Sequence, residues 1–417
     1  MPGHKGAGML GVEKYDITEI GGADSLYEAN GIIAESENNA SKIFGCKTFY
    51  STEGSSQCIR AMVYLACAAK KNPLILAGRN AHKTFITAAA LLGCEVEWLC
   101  PQQGESYLAC TVAPDSLAEK IASAKPDAVY ITSPDYLGNV ADIEGISRVC
   151  RRFGVPLMVD NAHGAYLKFL SESHHPIDLG ADICCDSAHK TLPVLTGGAY
   201  LHVSPDAPVS FASQAKNALA LFGSTSPSYL ILQSLDYANP ILEQYAEIIS
   251  PLADNVEKAK KIFTEKGFAL FGNEALKITV CPKTLGYSGV EFAAYCEQKG
   301  FVCEFADNDY TVFMFSASNA AESPLNLAKA VADITPKTPL ADTAPEFRLP
   351  QKAMSVRDAA LSASETVPVE LSAGRVLAVP TVGCPPAVPI AACGEKIDKQ
   401  TIERFLYYGI KECTVVK

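Results

Sequence analysis

Two short apolar runs in this sequence end on residues that can do chemistry together. The run Val155-Pro156-Leu157-Met158-Val159 ends in Asp160 and continues as Asn161-Ala162-His163-Gly164. A second run, from residue 181, ends in Asp186 and continues as Ser187-Ala188-His189-Lys190-Thr191. A carboxylate at the carboxyl end of a central strand is largely buried and needs a cationic partner. A desolvated lysine at the next strand end is the group that imine chemistry requires. Together they meet the two demands of pyridoxal 5'-phosphate (PLP). Lys190 would hold the aldehyde, and Asp160 would keep the pyridine nitrogen protonated so that the ring accepts electrons.

Two earlier segments suit the same cofactor. Glu53-Gly54-Ser55-Ser56-Gln57 follows an apolar run and opens a helical pattern. Free N–H groups at a helix start, with small hydroxyls beside them, form an anion site of the kind a phosphate takes. His82, in Arg79-Asn80-Ala81-His82-Lys83, follows another strand end, where an imidazole can stack on a cofactor ring. By contrast, Gly6-Ala7-Gly8-Met9-Leu10-Gly11 spells G-x-G-x-x-G with no strand before it and no βαβ unit around it, so it is not read as a dinucleotide site.

These residues need a frame. Apolar runs at residues 48–51, 74–76, 96–99, 128–132, 156–160, 181–186 and 199–203 predict strands, buried on both faces and covered by helices. Helical patterns lie between them at 55–71 and 143–153, the second closed by Gly154. Alternation of this kind predicts an α/β fold with a mainly parallel, doubly wound sheet, whose ligands gather beyond the carboxyl ends of the strands. After Asn239-Pro240 the pattern changes. A long helix is predicted over 241–266, then strands at 276–280 and 311–316 around a helix at 289–299, which makes a smaller α+β domain. Residues 335–345 read as a linker. Beyond it come helices near 355–362 and 398–408 and a Pro-rich turn at Cys384-Pro385-Pro386. The organisation is an N-terminal segment at 1–47, a large domain at 48–240, a small domain at 241–334 and a C-terminal domain at 346–417, without internal repeats.

Composition narrows the functional class. With 48% apolar and 19% charged residues the chain is a folded, soluble type. A net charge of −11 argues against a nucleic-acid partner, because phosphate backbones require a basic face. Fifteen cysteines form no C-x-x-C pair and fall in apolar segments, as at Cys67, Cys94, Cys150, Cys184 and Cys185. They read as reduced core residues, with no metal site. No run is long enough to span a membrane and no signal-peptide pattern opens the chain, so the assignment is cytoplasmic.

Taken together, these segments resemble the PLP-dependent ornithine/lysine/arginine decarboxylases of the bacterial type, within the aminotransferase-like fold type I. The resemblance rests on Met1-Pro2-Gly3-His4-Lys5-Gly6, Asp16-Ile17-Thr18-Glu19, the Arg79 to Lys83 segment, Thr132-Ser133-Pro134, Asp160-Asn161-Ala162-His163-Gly164 and Ser187-Ala188-His189-Lys190. It continues through Ser224-Thr225-Ser226-Pro227-Ser228-Tyr229, Ala353-Met354-Ser355, Glu365-Thr366-Val367-Pro368 and Gly374-Arg375, in family order along nearly the whole chain.

The resemblance implies a role for each matching position. Lys190 carries the Schiff base, Asp160 pairs with the pyridine nitrogen, Ala162 lies under the ring, His163 lies close by, and His82 stacks over it. Gly54, Ser55, Ser56, Ser187 and His189 surround the phosphate. The segment with Ser224 and Thr225 reaches a partner's cofactor across a homodimer interface. The implied reaction decarboxylates arginine, lysine or ornithine to an amine of the polyamine-precursor type, with Lys190, His163 and His82 as catalytic groups. The alternatives are another fold type I reaction, such as an aminotransferase or lyase, and a non-catalytic relative.

Departures from the family pattern fall at Glu53, Asn161, Tyr166 and the Pro-Pro turn, and relatives carry a short segment ahead of the position held here by Met1. A receiver-like N-terminal domain is not recognised, so the short form of the family is expected. An acid such as Glu395 is a candidate for the cationic tail of the substrate.

Overall fold

Each apolar run read as a strand folds as one, with bounds shifted by at most two residues. The computed structural model describes residues 1–67, 69–380 and 386–417. The strands are β1 (Lys47–Ser51), β2 (Leu74–Gly78), β3 (Glu95–Leu99), β4 (Ala128–Thr132), β5 (Leu157–Asp160), β6 (Ile183–Asp186), β7 (Ala199–Val203), β8 (Ala269–Phe271), β9 (Lys277–Cys281), β10 (Phe305–Ala306), β11 (Thr311–Met314), β12 (Ser364–Pro368) and β13 (Glu412–Val416). The helices are α1 (Ile32–Phe44), α2 (Gly54–Cys67), α3 (Lys83–Leu92), α4 (Pro114–Ala124), α5 (Ile143–Phe153), α6 (Ala188–Thr191), α7 (Val209–Ala220), α8 (Tyr229–Leu242), α9 (Tyr245–Glu265), α10 (Gly289–Gln298), α11 (Ser323–Ala330), α12 (Val356–Leu361) and α13 (Lys399–Tyr407). Two compact units share them. The first is built from Met1–Lys71, Pro126–Ser133 and Ile143–Ile248, and the second from Asn72–Lys125, Pro134–Asp142 and Ile249–Lys417.

In the first unit the strands lie in the order β1-β7-β6-β5-β4. β4, β5 and β6 are parallel, while β7 runs antiparallel to both β6 and β1. Every residue of β5, β6 and β7 is buried. This double-sided burial is why these strands are apolar throughout, without alternation. Helix α2 packs on β6 and β7, and α1 on β1. Gly154 closes α5 at φ +67, a left-handed position that favours glycine. Cys67, Cys150, Cys184 and Cys185 are buried, as their apolar contexts predict.

The helix predicted from residue 241 begins instead at Tyr245, and Pro240 lies inside α8, so Asn239-Pro240 is not a break. Tertiary bonding overrides the local signal. The Asn239 amide donates to the Ser36 carbonyl and hydroxyl and to the Tyr50 hydroxyl, which anchors this turn of α8.

In the second unit, β2 and β3 are parallel, and β10-β11-β9-β8 form an antiparallel sheet. β12 pairs antiparallel with β13, a pairing that the sequence reading did not anticipate. Val369, Leu377, Ile397, Phe405 and Val415 form part of its core. A box of reciprocal bonds between Ser288 and Glu291 caps α10. Of the Pro-rich turn, Cys384 and Pro385 lie outside the described residues. Among the described residues no helix is long and apolar enough to cross a membrane.

Candidate active site

The strand register of the first unit fixes where its polar ends fall. Asp160, the last residue of β5, lies opposite Thr132 of β4 and Cys185 of β6. The next residue on β6 is Asp186, and Ser187 leads into α6, which carries His189 and Lys190. Neighbouring parallel strands that end at one level deliver their following turns to one edge of the sheet.

The Asp160 carboxylate is 2% exposed. Its Oδ1 accepts from the Ala162 backbone N–H at 3.2 Å and from the Cys185 thiol at 3.7 Å, and its Oδ2 accepts from the Tyr130 hydroxyl at 2.9 Å. All three donors are neutral. Among the described residues no cation pairs with this carboxylate. A buried carboxylate so placed is unbalanced unless a cationic group meets it.

Lys190 Nζ lies 2.8 Å from Nε2 of His163, which the turn after Asp160 presents. That turn is held by the Gly164 N–H donating to the Asn161 carbonyl. Ala162 between them is half-buried. The Lys190 backbone N–H donates to the Ser187 carbonyl, so the lysine is set by the first turn of α6.

The Ser187 hydroxyl donates to the Ser55 hydroxyl at 2.8 Å, joining the end of β6 to the start of α2. Gly54 opens α2 at φ +70, and its N–H donates to the Gly197 carbonyl. Ser51 supports the turn by donating to Gln57 and to the Gly54 carbonyl. Ser56 is half-buried on the first turn of the helix. The His189 ring bonds the Gly198 carbonyl through Nδ1 at 3.0 Å, and burial, aided by Lys190, lowers its pKa. Ser224 and Thr225 are exposed, and the Ser224 N–H donates to Glu53.

Beneath these strand ends is a cluster that the sequence reading missed. Asp186 accepts from the Asn161 side-chain amide at 2.7 Å through Oδ1, and from His175 and His202 at 3.1 and 3.2 Å through Oδ2. His202 Nδ1 meets Thr48 Oγ1 at 3.0 Å. Asp186 and both histidines are fully buried. Burial opposes charge on Asp186, but the two imidazoles outweigh it and hold its carboxyl well below the usual range. Their ligand-type atoms lie within 4.8 Å of one another, in a hydrogen-bonded arrangement. No local spacing announces the cluster, because its members come from a loop and from two strands.

In the second unit, His82 caps α3, its Nδ1 accepting from the Thr84 N–H. Glu395 is 4% exposed, and its Oε2 accepts from Arg79 at 3.0 Å and from the Ala392 N–H. That oxygen is committed to Arg79 and the Ala392 N–H, while Oε1 accepts no hydrogen bond among the described residues.

The sheet architecture is that of the fold type I α/β proteins. Lysine decarboxylase LdcF of Francisella novicida superposes with a TM-score of 0.80 at 16% identity, covering 98% of this chain and 75% of that one. Alanine–glyoxylate aminotransferase of Nostoc sp. gives 0.58 at 16% identity, over 72% and 85% of the two chains. The family described as Orn/Lys/Arg decarboxylase, major domain, matches residues 11–279, and the chain belongs to it. Arginine decarboxylase of Bacillus subtilis (strain 168) is 28% identical over 438 residues, covering 96% of this chain and 88% of the relative. That of Bacillus anthracis is 28% identical over 416 residues, covering 93% and 83%. The protein is accordingly an enzyme of the decarboxylase class.

Proposed function

We propose that this enzyme binds PLP through Lys190 and decarboxylates a basic amino acid, arginine, lysine or ornithine, to the corresponding amine. The observation that carries the reading is Asp160, a buried carboxylate that among the described residues has three neutral donors and no cation, one strand away from a lysine. A protonated pyridine nitrogen is the cation that such a carboxylate suits. The paired hydroxyls of Ser55 and Ser187, with the α2 N-terminus behind them, suit the cofactor phosphate.

When bound, the cofactor supplies an electron sink for the bond to the departing carboxylate. Asp160 would pair with the ring nitrogen, and Lys190 would supply the amine for the aldehyde. Lys190 Nζ, within reach of His163 Nε2, would be the group that holds a proton for the product carbon at this end of the sheet. His189, whose ring is anchored on the Gly198 carbonyl and whose pKa is lowered by burial, would lie on the phosphate side of Lys190. Ala162, Gly54 and Ser56 belong to the same two turns. The ring-stacking role of His82, the reach of Ser224 and Thr225 to a second subunit, and a homodimer rest on the family resemblance.

The test is direct. Purified protein with PLP is incubated separately with arginine, lysine and ornithine, and CO2, amine and α-keto acid are measured. Matched release of CO2 and amine from one of them is expected. Keto-acid formation without CO2 would replace this reading with transamination.

A further inference from the structure

We infer that Tyr130 is a positioning residue for the cofactor, acting through Asp160 to keep the shared proton on the ring nitrogen. The inference rests on the proposed pairing of Asp160 with that nitrogen. Tyr130 lies two residues before the end of β4 and is fully buried. Its neighbours Ala128, Val129 and Ile131 are apolar, so its hydroxyl is the one polar side-chain group the strand carries before Thr132. That hydroxyl meets Asp160 Oδ2 at 2.9 Å.

The donors on Asp160 divide unevenly. Among the described residues, Oδ1 has the Ala162 N–H and the weak Cys185 thiol, whereas Oδ2 has the Tyr130 hydroxyl alone. Burial drives the ionisation of Tyr130 far above its ordinary range, with the Asp160 charge adding to the effect, so the phenol stays a donor at any working pH. A donor to the charged form lowers a carboxylate's affinity for a proton. Bonded to Tyr130, Asp160 is the weaker competitor for the proton it shares with the ring nitrogen, and its plane is fixed. Phenylalanine at this position would pack equally well and leave Oδ2 bare.

The test compares PLP affinity of the apoenzyme with the 15N resonance of ring-labelled PLP in wild type, Tyr130→Phe and Asp160→Asn. Loss of one hydrogen bond to a charged group corresponds to roughly tenfold in Kd. Tyr130→Phe is expected to weaken PLP binding about tenfold and to move the resonance toward the unprotonated value, with a larger move in Asp160→Asn. If Asp160→Asn moves both readouts and Tyr130→Phe moves neither, the role of Tyr130 is overturned while the Asp160 pairing stands. If neither variant moves them, the Asp160 pairing fails as well. A change in Kd with the resonance unmoved marks a merely structural role and also overturns the inference. Should Tyr130→Phe not fold, 3-fluorotyrosine placed at position 130 keeps the shape and donates more strongly. It should move the resonance the opposite way, and an unmoved resonance there overturns the inference.

Discussion

Lys190 Nζ and His163 Nε2 are 2.8 Å apart, a contact made between the turns that follow two adjacent parallel strands. In the proposed reaction this geometry would give the lysine a proton-relay partner. A positioned acid–base group contributes about a hundredfold or more to turnover. His163→Gln is therefore expected to keep the cofactor absorbance band while lowering kcat by about two orders of magnitude. Steady-state kinetics beside an absorbance spectrum reads both, and an unchanged kcat removes His163 from the chemistry.

The Ser187–Ser55 hydroxyl pair makes a separate prediction. Removing one hydroxyl that faces a charged phosphate costs about 1.5–3 kcal/mol, or roughly tenfold and more in Kd. Ser187→Ala should weaken PLP binding by that factor. Pyridoxal, which lacks the phosphate, should bind wild type and variant alike. Equal loss for both ligands would assign Ser187 to the fold instead.

Asp186 holds Asn161 on one oxygen and two buried imidazoles on the other. Breaking a buried charged network by removing one partner costs about 3–5 kcal/mol. Asp186→Asn should lower Tm by several degrees and loosen the turn that carries His163. Thermal unfolding measures the first effect. A Tm equal to wild type would mean that the cluster carries no charge.

Asp24 supplies a pH dependence. Burial acts to raise its pKa, but bonds from the backbone N–H groups of Asn30, Ser25, Gly31 and Ala34 bring it down to about 2, from an ordinary 3.8. The folded chain thus binds fewer protons there than the unfolded chain. The contribution is present above about pH 3.8 and is lost as pH falls through about 2. Asp24→Asn suits the left-handed backbone at this residue, φ +64. Solvent screening keeps the expected loss near neutral pH to about 2 °C in Tm, and the gap should close in acid. A gap that is constant with pH would contradict this.

Much of the frame was legible because buried parallel strands advertise themselves as apolar runs, and their polar ends stand out against them. Asp160, Lys190, Ser187 and Ser55 are proposed on this signal, and the structure brings the last two into contact. Strand direction was not legible, since β7 is as apolar as its parallel neighbours while running antiparallel to them. Tyr130 looked like core because a single hydroxyl inside an apolar run carries no spacing signal. His175 and His202 become partners of Asp186 only through tertiary packing, 11 and 16 residues away in the chain. Pro240 reads as a break in the sequence because the bonds that anchor α8 come from residues some two hundred positions earlier.

The most direct measurement is peptide mapping by mass spectrometry after the purified enzyme, loaded with PLP, is reduced with borohydride. A reduced cofactor adduct on the peptide containing Lys190, absent from Lys190→Ala, is the expected result. An adduct on another lysine such as Lys83, or no adduct in a folded enzyme that binds PLP, would contradict the assignment of Lys190.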